Sequence, residues 1–441
     1  MKSRALAAGV FFGASALFGQ AAKPAAAPPR VYSIVGATVH PVSGPDFPNA
    51  TIVVKDGKIA SITPGGPADP GGPSVDGAGR HVYPPLFPPM TVLGLEEISA
   101  IKPTIDKEEI GDINPDARAD VAVNLDSEVI AVSRSGGVLL AGVTPVGEVI
   151  SGSVAAMKLD GWTREDTTLK APAAITVFWP DLRINRSPQA PISVRLQEKK
   201  RDEQLEHLKN AFRDARAYGK ARAAENQAGI PKHDADARLA ALLPALDGSI
   251  PVVVFANRLD QIRDAVKWAG EEKLKLVIWG GADAWRMADE LAKAGVPVIM
   301  ESPLALPLRD DDFYDAEFSN AARLDHAGVR VIFNDGGDDP TKIRNLPHLV
   351  ATAVAYGFPR EKAVAAMTLE PAKLLGVANR VGSLEPGKDA TFILTDGDIL
   401  DLRSHVVAAW MDGRQLDLTD KQKRLYERYR NRPKPAAVHG R

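Results

Sequence analysis

Residues 366–400 read AMTLEPAKLLGVANRVGSLEPGKDATFILTDGDIL. The chain changes character inside this stretch. Its first part closes a long middle segment in which short apolar runs alternate with helical ones, whereas from Gly382 to Leu394 a Pro-Gly turn leads into the strand-like ATFIL. A further strand pattern follows, VVAAWMDGRQL, with a tight turn at Asp412-Gly413. The opposite end of the chain carries the same signature. Between Val31 and Val82, VYSIVGATVH, TIVV, IASI and HVY are separated by Gly, Pro and Asp turns, and Lys55-Asp56-Gly57-Lys58 marks a hairpin. Two β segments flanking a long middle predict one small β-sandwich domain built from both chain ends, residues 31–82 and 381–417.

The middle, residues 83–380, predicts the second domain. Apolar runs near Leu86–Val92, Val138–Val146, Val154–Leu159, Ala174–Trp179, Pro251–Phe255, Leu274–Trp279, Val296–Met300 and Val329–Phe333 read as strands buried on both faces. Eight such strands alternating with helices give an α/β class protein with a (β/α)8 TIM-like barrel. The 3-4 spacing of Leu205, Leu208, Phe212 and Ala215 makes RDEQLEHLKNAFRDARAYGKARA an amphipathic helix, read as a barrel helix lengthened by insertion.

Composition narrows the chemistry. The 441 residues include no Cys, which excludes disulfides, thiolate metal sites and a cysteine nucleophile. The net charge of −2 is uneven: residues 420–441 hold eight Lys or Arg against Asp420 and Glu427. With Lys2 and Arg4 also set aside, the body has 44 cations against 54 acids. A body that acidic excludes a nucleic-acid partner, and residues 418–441 read as a solvated basic helical tail. The N-terminal MKSRALAAGVFFGASALFGQAA has two cations, an apolar run from Ala5 to Phe18 and small residues beyond, the order of a signal peptide. It predicts a signal over 1–21, a Pro-rich linker over 22–30, export to the periplasm or extracellular space, and no membrane span after signal cleavage.

Specific stretches go further. The segments GATVHPVSG, ATIVVKDGKIASI and VDGAGRHVYPPL, the opening 366–400 motif, and the runs LVIWGGADAWRMADELAKAGVPVI and RNLPHLVATAVAYGFPREKAV resemble the metal-dependent amidohydrolase superfamily, in its imidazolonepropionase-like branch. The resemblance covers nearly all of residues 31–417 and implies a hydrolase acting on non-peptide carbon–nitrogen bonds. It also implies a divalent metal held by an HxH pair after strand 1, a Lys or Glu on strand 4, one His each on strands 5 and 6, and an Asp after strand 8. Here the sequence departs from the family. The strand 1 stretch is Pro84-Pro85-Leu86-Phe87-Pro88-Pro89-Met90-Thr91-Val92, with Met90 and Val92 in the histidine positions. Strand 5 offers Phe255, strand 6 Ile278 or Trp279, and the strand 4 stretch AITVFWP neither Lys nor Glu. Only the strand 8 acid persists, as Asp335. A hydrolytic metal needs about three protein ligands and an open position. A degenerate site with no metal is therefore expected.

Asp335 is the candidate catalytic residue, and Asn257, Glu301 and Asp338 are candidate ligand-binding residues, all at predicted C-terminal strand ends or the loops after them. The loop holding Asp335, Asp338 and Asp339 reads either as a carboxylate-rich site, with His348 near, or as an Asp/Gly loop capping the next helix. Histidines 40, 81, 207, 233, 326, 405 and 439 show no metal-ligand spacing, and no GxSxG elbow, P-loop or post-strand GxGxxG occurs in the mature chain, so no cofactor is expected. The expectation is an exported protein that binds a small molecule without hydrolysis or partners a catalytically intact paralogue, as a homo- or hetero-oligomer. The rival is a hydrolase using a relocated cation near Asp335, Asp338 or Glu301.

Overall fold

The computed structural model describes residues 30–66, 72–225, 232, 234–337 and 339–433. The expected signal, most of the linker and Asp338 lie outside the described residues.

The first strands are β1 (Val31–Val39), β2 (Phe47–Lys55), β3 (Lys58–Pro64), β4 (Ser74–Asp76) and β5 (His81–Tyr83). The β2–β3 hairpin turns at Asp56-Gly57, both in the left-handed region, as the sequence requires.

Seven barrel strands follow: β6 (Leu140–Val143), β7 (Ile150–Lys158), β8 (Thr168–Phe178), β9 (Val252–Ala256), β10 (Leu276–Gly280), β11 (Val298–Met300) and β12 (Val331–Phe333). They form one sheet in the order β12-β11-β10-β9-β8-β7-β6. Pairing from β8 to β12 is parallel, as expected, but β7 runs antiparallel to both β6 and β8. The expectation of eight parallel strands is corrected there. The reason is length: only 144–149 separate β6 from β7 and 159–167 separate β7 from β8, too few residues for a parallel crossover.

The expected first strand, Leu86–Val92, is not a regular one. Four prolines, at 84, 85, 88 and 89, remove ladder donors, and isolated parallel bridges from Leu86 to Val138 and from Thr91 to Val143 hold it beside β6. On its other side Asn334, just past β12, supplies the missing ladder. Its Nδ2 donates to the Met90 carbonyl at 2.7 Å, and the Met90 N–H donates to its Oδ1 at 2.9 Å. A side-chain amide thus closes the TIM-like barrel.

Alternation along the strands divides two cores. Val253, Val277, Trp279, Ile299 and Ile332 pack inward with Phe87 and Met90. Val252, Val254, Ile278, Val298 and Val331 pack outward with helical residues such as Phe212 and Ala265. Phe212 comes from the long helix Val194–Ala224, which buries only Leu208, Phe212 and Ala215 of the predicted apolar series.

The chain then returns through β13 (Phe392–Thr395), β14 (Val406–Met411) and β15 (Arg414–Gln415) to the N-terminal strands. The predicted union of both ends is present, through β13 pairing with β5. Its form differs from two facing sheets: hydrogen bonding runs through one eight-stranded sheet, β15-β14-β13-β5-β1-β2-β3, with β4 beside β1. Register shifts in β1 around Gly36, at φ +79°, bend that strand, so its free edge meets β4 first and β5 afterwards. One bent sheet therefore encloses its own core of Ile34, Ile52, Phe392 and Trp410. The tail forms the helix Lys421–Arg430, capped by Asp420 and burying no residue.

Candidate functional site

The C-terminal ends of β8 to β12 open into a cavity of about 560 Å³. Its wall is aromatic because the inward positions at three adjacent strand ends are Phe178, Phe255 and Trp279. The rings interlock, with centroids 5.4 Å apart for Phe178–Phe255, 5.0 Å for Phe255–Trp279 and 5.7 Å for Phe178–Trp279. Of the two residues that sequence left open on strand 6, Trp279 faces inward and Ile278 outward.

Backbone and side chains are fitted around Trp279. Its Nε1 donates to Glu301 Oε1, which also accepts from Asn334 Nδ2 at 2.7 Å. Gly337 lies so close that a Cβ there would stand 2.5 Å from Trp279 Cζ2 and 3.0 Å from Glu301 Oε1. Gly280, at φ +94°, leaves room for Asn257, whose Oδ1 would be 2.4 Å from a Cβ at that position. Asn257 Oδ1 also accepts from the Ala282 N–H at 3.4 Å.

Three of the four candidate residues, Asn257, Glu301 and Asp335, line this one cavity; Asp338 lies outside the described residues. Asp335 is buried and accepts from the Gly336 N–H at 2.9 Å. Other acids predicted at strand ends are engaged elsewhere. Glu96 pairs with Lys107, Glu148 with Lys200 at 3.5 Å, and Asp181 with Arg183 at 3.4 Å. Asp339 takes the capping alternative, accepting from the Thr341 N–H at 3.0 Å at the start of the turn Pro340–Asn345. His348 sits on the helix Leu346–Ala355 and does not line the cavity.

Sequence reasoning did not find Glu317, Lys107 or Lys342, which also line the cavity. Glu317 stands in the first turn of the helix Ala316–His326. Burial pushes its carboxyl up to about 7, and the charges of Asp283 and Asp312 add to the rise. Those two acids are themselves held by arginines: Asp283 by Arg286 at 3.1 Å and Arg309 at 2.7 Å, Asp312 by Arg286. No local motif marks Glu317, because a loop of fifteen residues carries the chain from β11 to its helix.

The residues present do not fit the divalent metal that the resemblance implies. Met90 is packed in the inner core, Val92 faces the outer layer, and Phe255 and Trp279 fill the cavity wall. A hard or borderline divalent ion requires oxygen or imidazole nitrogen ligands. Among the described residues no group of three His, Cys, Asp or Glu is placed to hold one.

Comparison with known proteins gives a partial sequence match and an extensive structural one. The sequence pattern of the Amidohydrolase family matches residues 273–419. Amidohydrolase tasK of Hapsidospora irregularis is 35% identical over 79 residues, 17% of this chain and 8% of that protein. The imidazolonepropionase of Syntrophobacter fumaroxidans is 33% identical over 109 residues, 24% of each chain. The match thus spans a quarter or less of the length of these curated relatives. An amidohydrolase structure from Thermotoga maritima superposes with a TM-score of 0.77 at 24% identity, over 88% of this chain and 99% of that one.

Proposed function

We propose, from the partial match to the Amidohydrolase family and the likeness of fold, that the barrel mouth binds a small organic ligand without metal-dependent hydrolysis. Trp279 carries this reading. It faces the cavity at the end of β10, where the resemblance implies a histidine, it is hydrogen-bonded to Glu301, and Gly337 and Phe255 are fitted to it. The glycine leaves the indole room to stand against Glu301 at the cavity wall. The aromatic wall with Glu301, Asp335 and Asn257 suits a ligand with a flat or apolar body and a cationic or amide group.

Metal analysis of protein purified without chelators tests this, together with thermal-shift screening of amines and amides. The expected outcome is substoichiometric metal and ligand-induced stabilisation that Glu301→Gln weakens about tenfold. Stoichiometric zinc, manganese or iron, lost together with an amidase activity in Asp335→Ala, overturns it.

Glu317 favours a second reading, hydrolysis of a non-peptide C–N bond. A carboxyl with a pKa of about 7 populates both protonation states at neutral pH, as general acid–base chemistry requires. That reading requires a pH–rate break near 7 that disappears in Glu317→Gln.

Export and pairing with an intact paralogue belong to the same proposal. The first is supported by the n-region and apolar run of residues 1–21, and the mature N-terminus after cell fractionation tests it. The second is supported by the exposed apolar side chain of Leu306 at the mouth and of Leu304 two residues before it. Copurification from cells expressing both chains tests it.

A further inference from the structure

We propose a second binding site, for small multivalent oxyanions, at the end of the barrel opposite the mouth. A cavity of about 540 Å³ lies where β9 to β12 begin, and its lining includes Lys170, Lys275, Arg330 and Lys373 but no Asp or Glu. In a body with ten more acids than cations, four convergent cations run against the average.

Their partners are unequally supplied. Arg330 and Lys373 share a single carboxylate, Glu370, at 3.8 Å and 2.7 Å. Among the described residues the Lys170 and Lys275 ammonium groups make no ion pair. Asp247 is near enough to feel Lys275, but its carboxylate is turned to the Ser249 N–H at 2.8 Å. Lys170 is seated against bare backbone: a Cβ at Gly376, itself at φ +73°, would lie 2.6 Å from its Nζ. Burial, and then the charge of Lys275, hold the Lys170 ammonium below the usual lysine range.

Helix ends explain part of this arrangement. The helices Leu259–Glu272 and Ala288–Ala294 finish here, and Gly270 and Gly295 line the cavity. Carbonyl ends favour cations, which lowers the cost of gathering them. They leave the repulsion between Lys170 and Lys275 in place. An anion with two or more charges removes that repulsion and accepts several charge-assisted hydrogen bonds at once. Phosphate and polycarboxylate groups share this chemistry.

Thermal shift and calorimetry on the full chain at low ionic strength, with pyrophosphate and with citrate, test the site against sodium chloride of matched ionic strength. The expected result is saturable stabilisation by at least one of the two. The Lys170→Met/Lys275→Met variant is expected to bind at least tenfold more weakly, while Lys200→Met on the exposed long helix binds as the wild type does. Tighter binding of pyrophosphate assigns the site to phosphate groups, and tighter binding of citrate to carboxylates. Without ligand, Lys170→Met is expected to melt above the wild type, since a half-buried and repelled charge is gone. Should the double variant fail to fold, the exposed Lys275→Gln alone is expected to weaken binding several-fold. No shift beyond the salt control, or equal shifts in wild type and lysine variants, overturns the proposal.

Discussion

Trp279 and Gly337 are 58 residues apart in the sequence, yet neither is intelligible without the other. A Cβ at 337 would meet the indole at 2.5 Å. Gly337→Ala is therefore expected to cost about 1–3 kcal/mol through overpacking, read from urea unfolding, and to change tryptophan fluorescence. Glu317 makes a prediction in pH. Its carboxyl is raised from 4.5 to about 7 in the folded protein, so between those values the folded state holds more protons than the unfolded one. Its contribution to stability is full below about pH 4.5 and is lost as pH rises through about 7. Glu317→Gln is expected to match the wild type near pH 4 and to melt higher at pH 8. A Tm–pH slope between pH 4.5 and 7 that is unchanged in the variant would count against this assignment. At this scale the sequence showed which residue types stand at the strand ends, including Asn257, Glu301 and Asp335. It left the choice between Ile278 and Trp279 open, because inward and outward residues differ only by strand phase.

At the scale of elements, connection length decided what apolar pattern could not. The run Val154–Leu159 reads as a buried strand whichever way it points. Its direction follows from the six-residue link before it, a constraint present in the sequence but outweighed there by the count of eight strands. The closure of the barrel was not legible, since no pattern announces that a side-chain amide will take over a ladder interrupted by prolines. Asn334→Ala removes both bonds to the buried Met90 backbone and the donor to Glu301. The expected cost is about 2–4 kcal/mol by chemical denaturation, with weakened ligand binding at the mouth. The basic helix Lys421–Arg430 makes the opposite prediction. It buries no residue and its Arg424 pairs with the exposed Glu128 at 3.1 Å, so truncation after Asp420 is expected to change stability by less than about 0.5 kcal/mol.

At the scale of the molecule, the sheet and the barrel share a core. Ile393, Ala409, Met411 and Leu416 from the returning chain belong to the same buried cluster as Val138, Val252 and Val298 of the barrel. Calorimetry is accordingly expected to give one unfolding transition, and two resolved transitions would show the two parts to be independent. What the sequence determined by itself was most of the barrel strands from β6 to β12, the joining of both chain ends in one β unit, and the residue types at the strand ends. Those follow from local periodicity, turn chemistry and residue type, which need no knowledge of neighbours. Tertiary structure alone decided that the ends form one bent sheet, that β7 is reversed, that Trp279 faces the mouth with a glycine fitted beneath it, and that Glu317 joins the cavity. Each of these depends on contacts between residues far apart in the chain, and burial, close packing and field effects exist only once those contacts are made.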